Sequence, residues 1–377
     1  MVNRRRILYL AASSRWNGTG KYVQELALYA VRLNFDVAVS GARHGALIER
    51  LGALDIPYFE MRSFWSVLAI LFRFRPHILH TADPRSAVIG GLAFLVYRIV
   101  FLRFDSANIH TVRGWTFTEP RGRLNRMLRK AAERMRCLLC DTIILLSRAD
   151  HQTALEYRIA PKRKLTVVPP GIDPRGVAVL ARDEARAKLL ETEFRDRIVI
   201  GTIGEFIRIK GHRYLLEAFA SLKYAFHERD PRRAPLLHLL LIGTGGAFEE
   251  LRRKAEILKI ENDITFVANA ASASPYCSAF DIFVLPSLAG ASSYTLLEAA
   301  LAKLPVIATD VGGNPDIIKH DKTGLLIPPR NAGKIAAGIE RLIANPEFAC
   351  RLGSGLHEHV VKNFALSESL SKTFTLY

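Results

Sequence analysis

The chain has 377 residues, too many for one ordinary hydrophobic core, so two domains are expected. Apolar residues make up 49% and charged residues 24%, which excludes a disordered chain. The formal net charge is +17, and it is uneven: residues 61–140 hold 14 Lys and Arg against 4 Asp and Glu.

The first half alternates short apolar strands with helical patterns. Ile7–Leu10 reads as a strand, Gly18-Thr19-Gly20 leads into a helix through Leu33, and Asp36–Val39 is the next strand. Strands at Ile78–His80, Ile109–Thr111, Ile143–Leu146 and Leu165–Val168 follow at strand-plus-helix spacings. Pro169-Pro170-Gly171 then breaks the chain. A charged helical stretch, Asp183 to Phe194, reads as the joint. The pattern restarts with strands at Ile198–Thr202, Leu236–Ile242, Ile264–Val267, Ile282–Leu285, Val306–Ala308 and Leu325–Ile327, and with helices from Tyr214 to Ala225 and Phe248 to Leu258. Such alternation predicts two doubly wound parallel sheets in tandem, with ligands at the carboxyl ends of the strands, in an interdomain cleft. The expected domains are 1–180 and 181–357, with a helix in 358–377 packing back on the first.

The basic region also carries apolar runs, Phe64–Phe72 and Ala87–Leu102, neither of which spans a bilayer. From Arg123 to Leu139, Leu124, Met127, Leu128, Ala131, Met135, Leu138 and Leu139 recur at helical spacing, with six Arg and Lys largely elsewhere on the helix. This pattern reads as peripheral contact with an anionic membrane; the alternative is the solvated face of an ordinary packed helix. No nucleic-acid module accompanies the charge. No signal peptide is visible, so a cytoplasmic protein at the inner face of the cell membrane is expected. Cysteines are few (137, 140, 277 and 350). The lone Cys137-x-x-Cys140 on a helical pattern reads as two half-buried thiols in a reducing compartment, ahead of a zinc or redox pair.

The most informative stretch runs from Pro286 to Thr323. A strand ends at Leu285-Pro286, a loop of small residues follows, and a helix opens near Tyr294 and carries Glu298. A second strand, Val306–Ala308, leads to a Gly312-Gly313 turn. Free N–H groups and the helix dipole facing such a loop suit an anion. A carboxylate one turn into the helix suits a ribose.

The second half resembles the retaining nucleotide-sugar glycosyltransferases of family four, with the GT-B fold. The segments that carry the resemblance are GEFIRIKGHRYLLEAF (204–219), LLLIGTGGAFEELRR (239–253), FDIFVLPS (280–287), YTLLEAALAKLPVIATDVGGNPDII (294–318) and KTGLLIPP (322–329). HTADPRSAVIGGLAF (80–94), IHTVRGWTF (109–117) and VVPPGID (167–173) resemble segments of members that build cell-surface polysaccharides. The resemblance implies an α/β protein of two Rossmann-like domains, the first binding acceptor and the second binding donor. It implies transfer from a UDP- or GDP-sugar with retention, to a glycan or lipid-linked acceptor, with neither metal nor cofactor.

Leaving-group charge must then be met by side-chain cations and N–H groups. Lys210 matches the family's diphosphate lysine and Glu298 its ribose-binding glutamate. Arg208 and Arg113 are the other candidate catalytic cations. Donor contacts are expected from Gly204, Glu205, Gly243, Gly290, Ala291, Ser292, Tyr294, Thr295, Leu296 and Leu297. At Gly18 and Gly20, before the first helix, backbone would approach diphosphate or acceptor. Three positions depart from the family pattern: Gly290 stands where a glutamate contacts the donor sugar, Glu205 where an arginine pairs with diphosphate, and Arg113 where a histidine is usual. A second reading is therefore a weakened or inactive member that binds nucleotide or a partner without turnover. A sugar-nucleotide epimerase shares this architecture, but none of its expected acid/base groups is clearly placed.

Overall fold

The computed structural model describes residues 4–12, 18–43, 45–118, 122–230, 235–268, 274–290 and 293–377. Ala291 and Ser292 lie outside them. The chain forms two compact units, one of Met1–Pro170 with Ser367–Tyr377, the other of Gly171–Leu366.

Unit 1 runs β1 (Arg6–Ala11), α1 (Gly18–Arg32), β2 (Asp36–Gly41), α2 (Ala46–Gly52), β3 (Tyr58–Glu60), α3 (Phe64–Phe74), β4 (Ile78–Thr81), α4 (Pro84–Val100), β5 (Ala107–Val112), α5 (Arg123–Leu138), β6 (Thr142–Leu145), α6 (Arg148–Glu156) and β7 (Leu165–Val167). Among the described residues these strands form one sheet, β3-β2-β1-β4-β5-β6-β7, with every pair parallel. Chain order reverses between β1 and β4, which makes that edge the natural ligand position. Strand β3 was not anticipated: it has three half-buried residues and no apolar run to announce it.

Unit 2 runs α7 (Arg182–Leu189), β8 (Ile198–Ile203), α8 (His212–Arg229), β9 (Leu237–Ile242), α9 (Phe248–Ile257), β10 (Ile264–Val267), β11 (Ile282–Leu285), α10 (Tyr294–Leu301), β12 (Val306–Thr309), α11 (Asn314–Ile317), β13 (Leu325–Ile327), α12 (Ala332–Ala344) and α13 (Pro346–Asn363). Its sheet is β10-β9-β8-β11-β12-β13, again all parallel, with the reversal between β8 and β11. The central strands are buried on both faces, so they read as continuous apolar runs rather than alternations.

The charged stretch near 183 is not a joint. Helix α7 belongs to unit 2, because Arg186 is buried and pairs with Asp281 at 2.6 Å, and Arg182 pairs with the same carboxylate at 2.6 Å. One buried cation held by a carboxylate and by the carbonyls of Ala279 and Arg195 fixes the helix in place.

The last helix, α14 (Leu366–Phe374), carries the chain back into unit 1. Phe374 meets Tyr29 and Phe35 edge-on at 5.0 and 5.8 Å between centroids. The Tyr377 hydroxyl lies 2.5 Å from His80 Nδ1 on β4.

Candidate functional site

The Lys210 segment follows β8, and the small-residue loop follows β11. These two strands flank the order reversal of unit 2, so their carboxyl ends emerge side by side. The contact between the loops is direct: the Leu288 amide donates to the Ile209 carbonyl at 2.8 Å. Gly211 closes the Arg208–Lys210 turn at φ +69, and a Cβ there would lie 2.0 Å from the Pro286 carbonyl oxygen. Only glycine meets both demands. Lys210, half-buried, is thereby held on the turn that abuts the loop leading to α10.

That loop is fastened at its other side. The Thr309 hydroxyl, at the end of β12, donates to the Ser287 carbonyl at 2.6 Å. Asn314 Nδ2 in turn donates to the Thr309 carbonyl at 2.9 Å. Helix α10 opens at Tyr294. Ser293 does not cap it: its hydroxyl is engaged with Thr295 Oγ1 at 2.6 Å. Glu298 is buried one turn in, beside the core residues Leu296 and Leu297, while Thr295 is half-buried.

The remaining expected donor residues have different settings. Gly204 and Gly243 end the adjacent strands β8 and β9, and a Cβ on Gly243 would lie 1.9 Å from the Gly204 carbonyl oxygen. Close backbone packing accounts for glycine at position 243. Glu205 is exposed. Arg208 is exposed and held by Glu250 of α9, Nε to Oε2 at 3.0 Å. Gly290 adopts φ +134, a conformation that side-chain-bearing residues avoid, although a Cβ there would meet nothing within 4 Å.

His212, the first residue of α8, was not anticipated as part of this region. It is buried, its ring meets Phe206 edge-on, and its Nδ1 has no hydrogen-bond partner. Burial, with Lys210 nearby, pulls its pKa down to about 3, so it is neutral at physiological pH. Its position directly after Lys210-Gly211 was the available signal. Glu250 and Thr309 also escaped notice, because their partners are distant in sequence.

In unit 1 the candidates gather at the carboxyl ends of β1, β4 and β5. Gly18 and Gly20 form the first turn of α1 rather than a loop ahead of it, and Gly20 is buried. Two residues on, the Tyr22 hydroxyl bonds Thr111 Oγ1 at 3.0 Å, and His80 Nε2 bonds the same oxygen at 2.7 Å. Arg113 follows β5, its guanidinium 5.8 Å from the Tyr22 ring centroid, and Gly114 turns the chain away at φ +103. Burial pulls the His80 pKa down to about 3 and that of His110 to about 4. Cys137 and Cys140 are buried thiols pushed up to about 12 by desolvation, far from thiolate chemistry. Among the described residues no group of three or more His, Cys, Asp and Glu is placed to hold a metal ion.

Two parallel α/β units with the candidate residues at the order reversals have the architecture of the GT-B fold. Residues 16–175 match the model of Glycosyltransferase Family 4, and residues 182–357 match that of Glycosyl transferases group 1. The chain belongs to the family-four glycosyltransferases. Over 329 residues it is 21% identical to the UDP-Gal:alpha-D-GlcNAc-diphosphoundecaprenol alpha-1,3-galactosyltransferase of Escherichia coli, covering 84% of this chain and 79% of that one. The capsular polysaccharide biosynthesis glycosyltransferase CapM of Staphylococcus aureus is 22% identical over 332 residues, 85% of this chain and 83% of its own length. Among solved structures, Anabaena Alr3699/HepE, in complex with UDP and glucose, superposes with a TM-score of 0.82 over 99% of both chains, at 17% identity. At that identity the likeness speaks for the fold.

Proposed function

We propose that this protein transfers a sugar from a UDP- or GDP-sugar, with retention of anomeric configuration, to a glycan or lipid-linked acceptor at a membrane surface. One observation carries the reading: the Ile209–Leu288 hydrogen bond, which sets the Lys210 turn against the loop that feeds α10 and Glu298. A diphosphate there would have a cation on one side and helix N-terminal amides on the other, and Glu298 would take the ribose hydroxyls. The named relatives act on a diphosphoundecaprenol-linked sugar and in capsular polysaccharide biosynthesis, which supports an acceptor of this class.

In the proposed step the bond between the anomeric carbon and the phosphate oxygen breaks, and its electron pair leaves with the nucleoside diphosphate. The acceptor hydroxyl oxygen forms the new bond on the same face of the sugar. Its proton passes to the departing phosphate, which needs no protein base. Lys210 stabilises the charge that grows on that phosphate, and Arg208 joins it once released from Glu250. Acceptor contacts fall to unit 1, through Arg113 and the first turn of α1.

Gly290 and the Glu250-bound Arg208 favour a second reading, nucleotide binding without turnover. A thermal-shift panel of UDP, GDP and their sugars, followed by product analysis with lipid-diphosphate sugar acceptors, decides between the two. Stabilisation by one nucleotide with sugar transfer supports the enzyme. Firm binding with neither transfer nor donor hydrolysis overturns it.

A further inference from the structure

We propose that the outer face of α4 and α5 is the surface by which this protein docks on an anionic lipid bilayer. The proposal rests on the reading above only in that a membrane-borne acceptor gives the docking a purpose. Neither helix carries a residue assigned to donor or acceptor.

The crossovers β4–α4–β5 and β5–α5–β6 place both helices on one side of the sheet as neighbours. They are closely set at one end, where a Cβ on Gly91 would lie 3.1 Å from that of Leu139.

Helix α5 is inside out for a helix bathed in water. Its buried residues are Glu133, Arg136 and Cys137. Leu124, Met127, Leu128, Met135 and Leu138, one stripe at helical spacing, are 63% to 74% exposed. The polar residues can face inward because their charges pair: Glu133 pairs with Arg136 and accepts from the Thr116 hydroxyl at 2.6 Å. Hydrophobic burial on folding would have turned the Leu and Met stripe inward; this arrangement leaves its apolar area to be covered by something else.

Helix α4 repeats the feature beside it. Its sheet side packs tightly through Ala87, Phe94 and Tyr97, yet Leu92, Leu95, Val96 and Ile99 form a second exposed stripe on the other side. No helix among the described residues is long and apolar enough to cross a membrane, so the face lies on a bilayer rather than through it.

Charge selects the occupant. Helix α5 carries six Arg and Lys and one acid, the buried Glu133, and α4 has no acid at all. A second copy docked face to face would set these cations against themselves. A bilayer with anionic headgroups meets both halves of the surface, phosphates against Arg123 at the edge of the stripe, acyl chains against the leucines and methionines. Exposed aromatic anchors, the usual mark of a protein interface, are absent from both described stripes.

The test is co-sedimentation of the full chain with vesicles of phosphatidylcholine alone or mixed equally with phosphatidylglycerol. Binding to the anionic vesicles should exceed binding to the neutral ones by about tenfold or more, and should fall as salt is raised. The double variant Met127→Glu with Leu128→Glu should lose the binding at unchanged circular dichroism and melting, because both side chains are already in solvent. Arg123→Gln should weaken the anionic preference by roughly fivefold and flatten the salt dependence. Nucleotide-induced thermal shifts should be the same in all variants; their absence throughout would count against the donor reading and leave the docking surface standing. Three outcomes overturn the proposal: no binding to anionic vesicles at low salt, equal binding by the Glu variant, or a wild-type dimer that the Glu variant dissolves.

Discussion

The Leu288 amide and the Ile209 carbonyl, 79 residues apart by their numbers, meet at 2.8 Å and join the two loops on which a donor site in unit 2 depends. The bond forms because β8 and β11 are neighbours in the sheet without being neighbours in the chain. Anything that separates these loops should impair nucleotide binding without touching a ligand-contacting side chain.

Gly211→Ala is the sharpest way to separate them. The new methyl would meet the Pro286 oxygen at 2.0 Å at a residue with φ +69, so destabilisation of ~2 kcal/mol or more is expected, with weakened nucleotide binding. Gly246→Ala, where a Cβ meets nothing within 4 Å, serves as the matched control and should change stability little. Urea unfolding and nucleotide titration of the two variants measure the contrast.

Lys210→Ala and Glu298→Ala should part along different axes. Loss of one charged hydrogen bond costs ~1.5–3 kcal/mol, roughly ten- to a hundredfold. For Lys210 the loss should appear in kcat as well as in nucleotide affinity. For Glu298 it should appear in affinity and in the preference for ribose over 2′,3′-dideoxyribose nucleotides. If the Glu298→Ala variant still discriminates the two sugars as the parent chain does, Glu298 is not the ribose contact.

Gly290→Glu restores the residue type of the family pattern, but on a backbone at φ +134. Strain of ~1–3 kcal/mol is expected, arising from the backbone and not from a clash. Turnover should therefore fail to rise. A tenfold gain in kcat/KM, with melting unchanged, would show that the loop accepts the carboxylate after all.

Arg208 should respond to its restraint. Glu250→Gln removes the carboxylate that holds it, and because the pair is exposed the gain in donor affinity is at most about fivefold. In an Arg208→Gln background the same change should have no effect. Such a double-mutant cycle isolates the coupling between the two residues.

Stability should fall on mild acidification. His80, His110, His212 and His238 have pKa values pulled down to between about 3 and about 4 by burial, against an ordinary value of 6.5. The folded state therefore resists protons that the unfolded chain accepts. Stability is complete above about pH 6.5 and declines as pH falls toward the folded values, by up to ~1.4 kcal/mol per pH unit for each histidine. Urea midpoints across this range check the slope, and His212→Asn should flatten it for unit 2.

Much of this was legible in the sequence. The apolar runs announced the strands of both sheets apart from β3, and Lys210-Gly211 and the Pro286–Glu298 stretch marked the loops that the structure brings together. What periodicity could not reveal was direction. The spacing of Leu124, Met127 and Leu128 showed that α5 has an apolar face, but left open whether that face meets a membrane or packs inward as in an ordinary helix. The mutual neutralisation of Glu133 and Arg136, which allows the outward orientation, depends on Thr116 and on tertiary packing. Likewise Arg208 read as a free phosphate ligand, because Glu250 lies 42 positions further along.

The return of α14 to unit 1 fixes an order of events at the ribosome. Unit 2 is one uninterrupted segment, 171–366, and can close as soon as that segment emerges. The aromatic contacts of unit 1 must wait, although its sheet is made first, because Phe374 and Tyr377 reach Tyr29, Phe35 and His80 only after all of unit 2 has been synthesised. The half of the molecule that carries the apolar α4–α5 surface is thus the last to be finished.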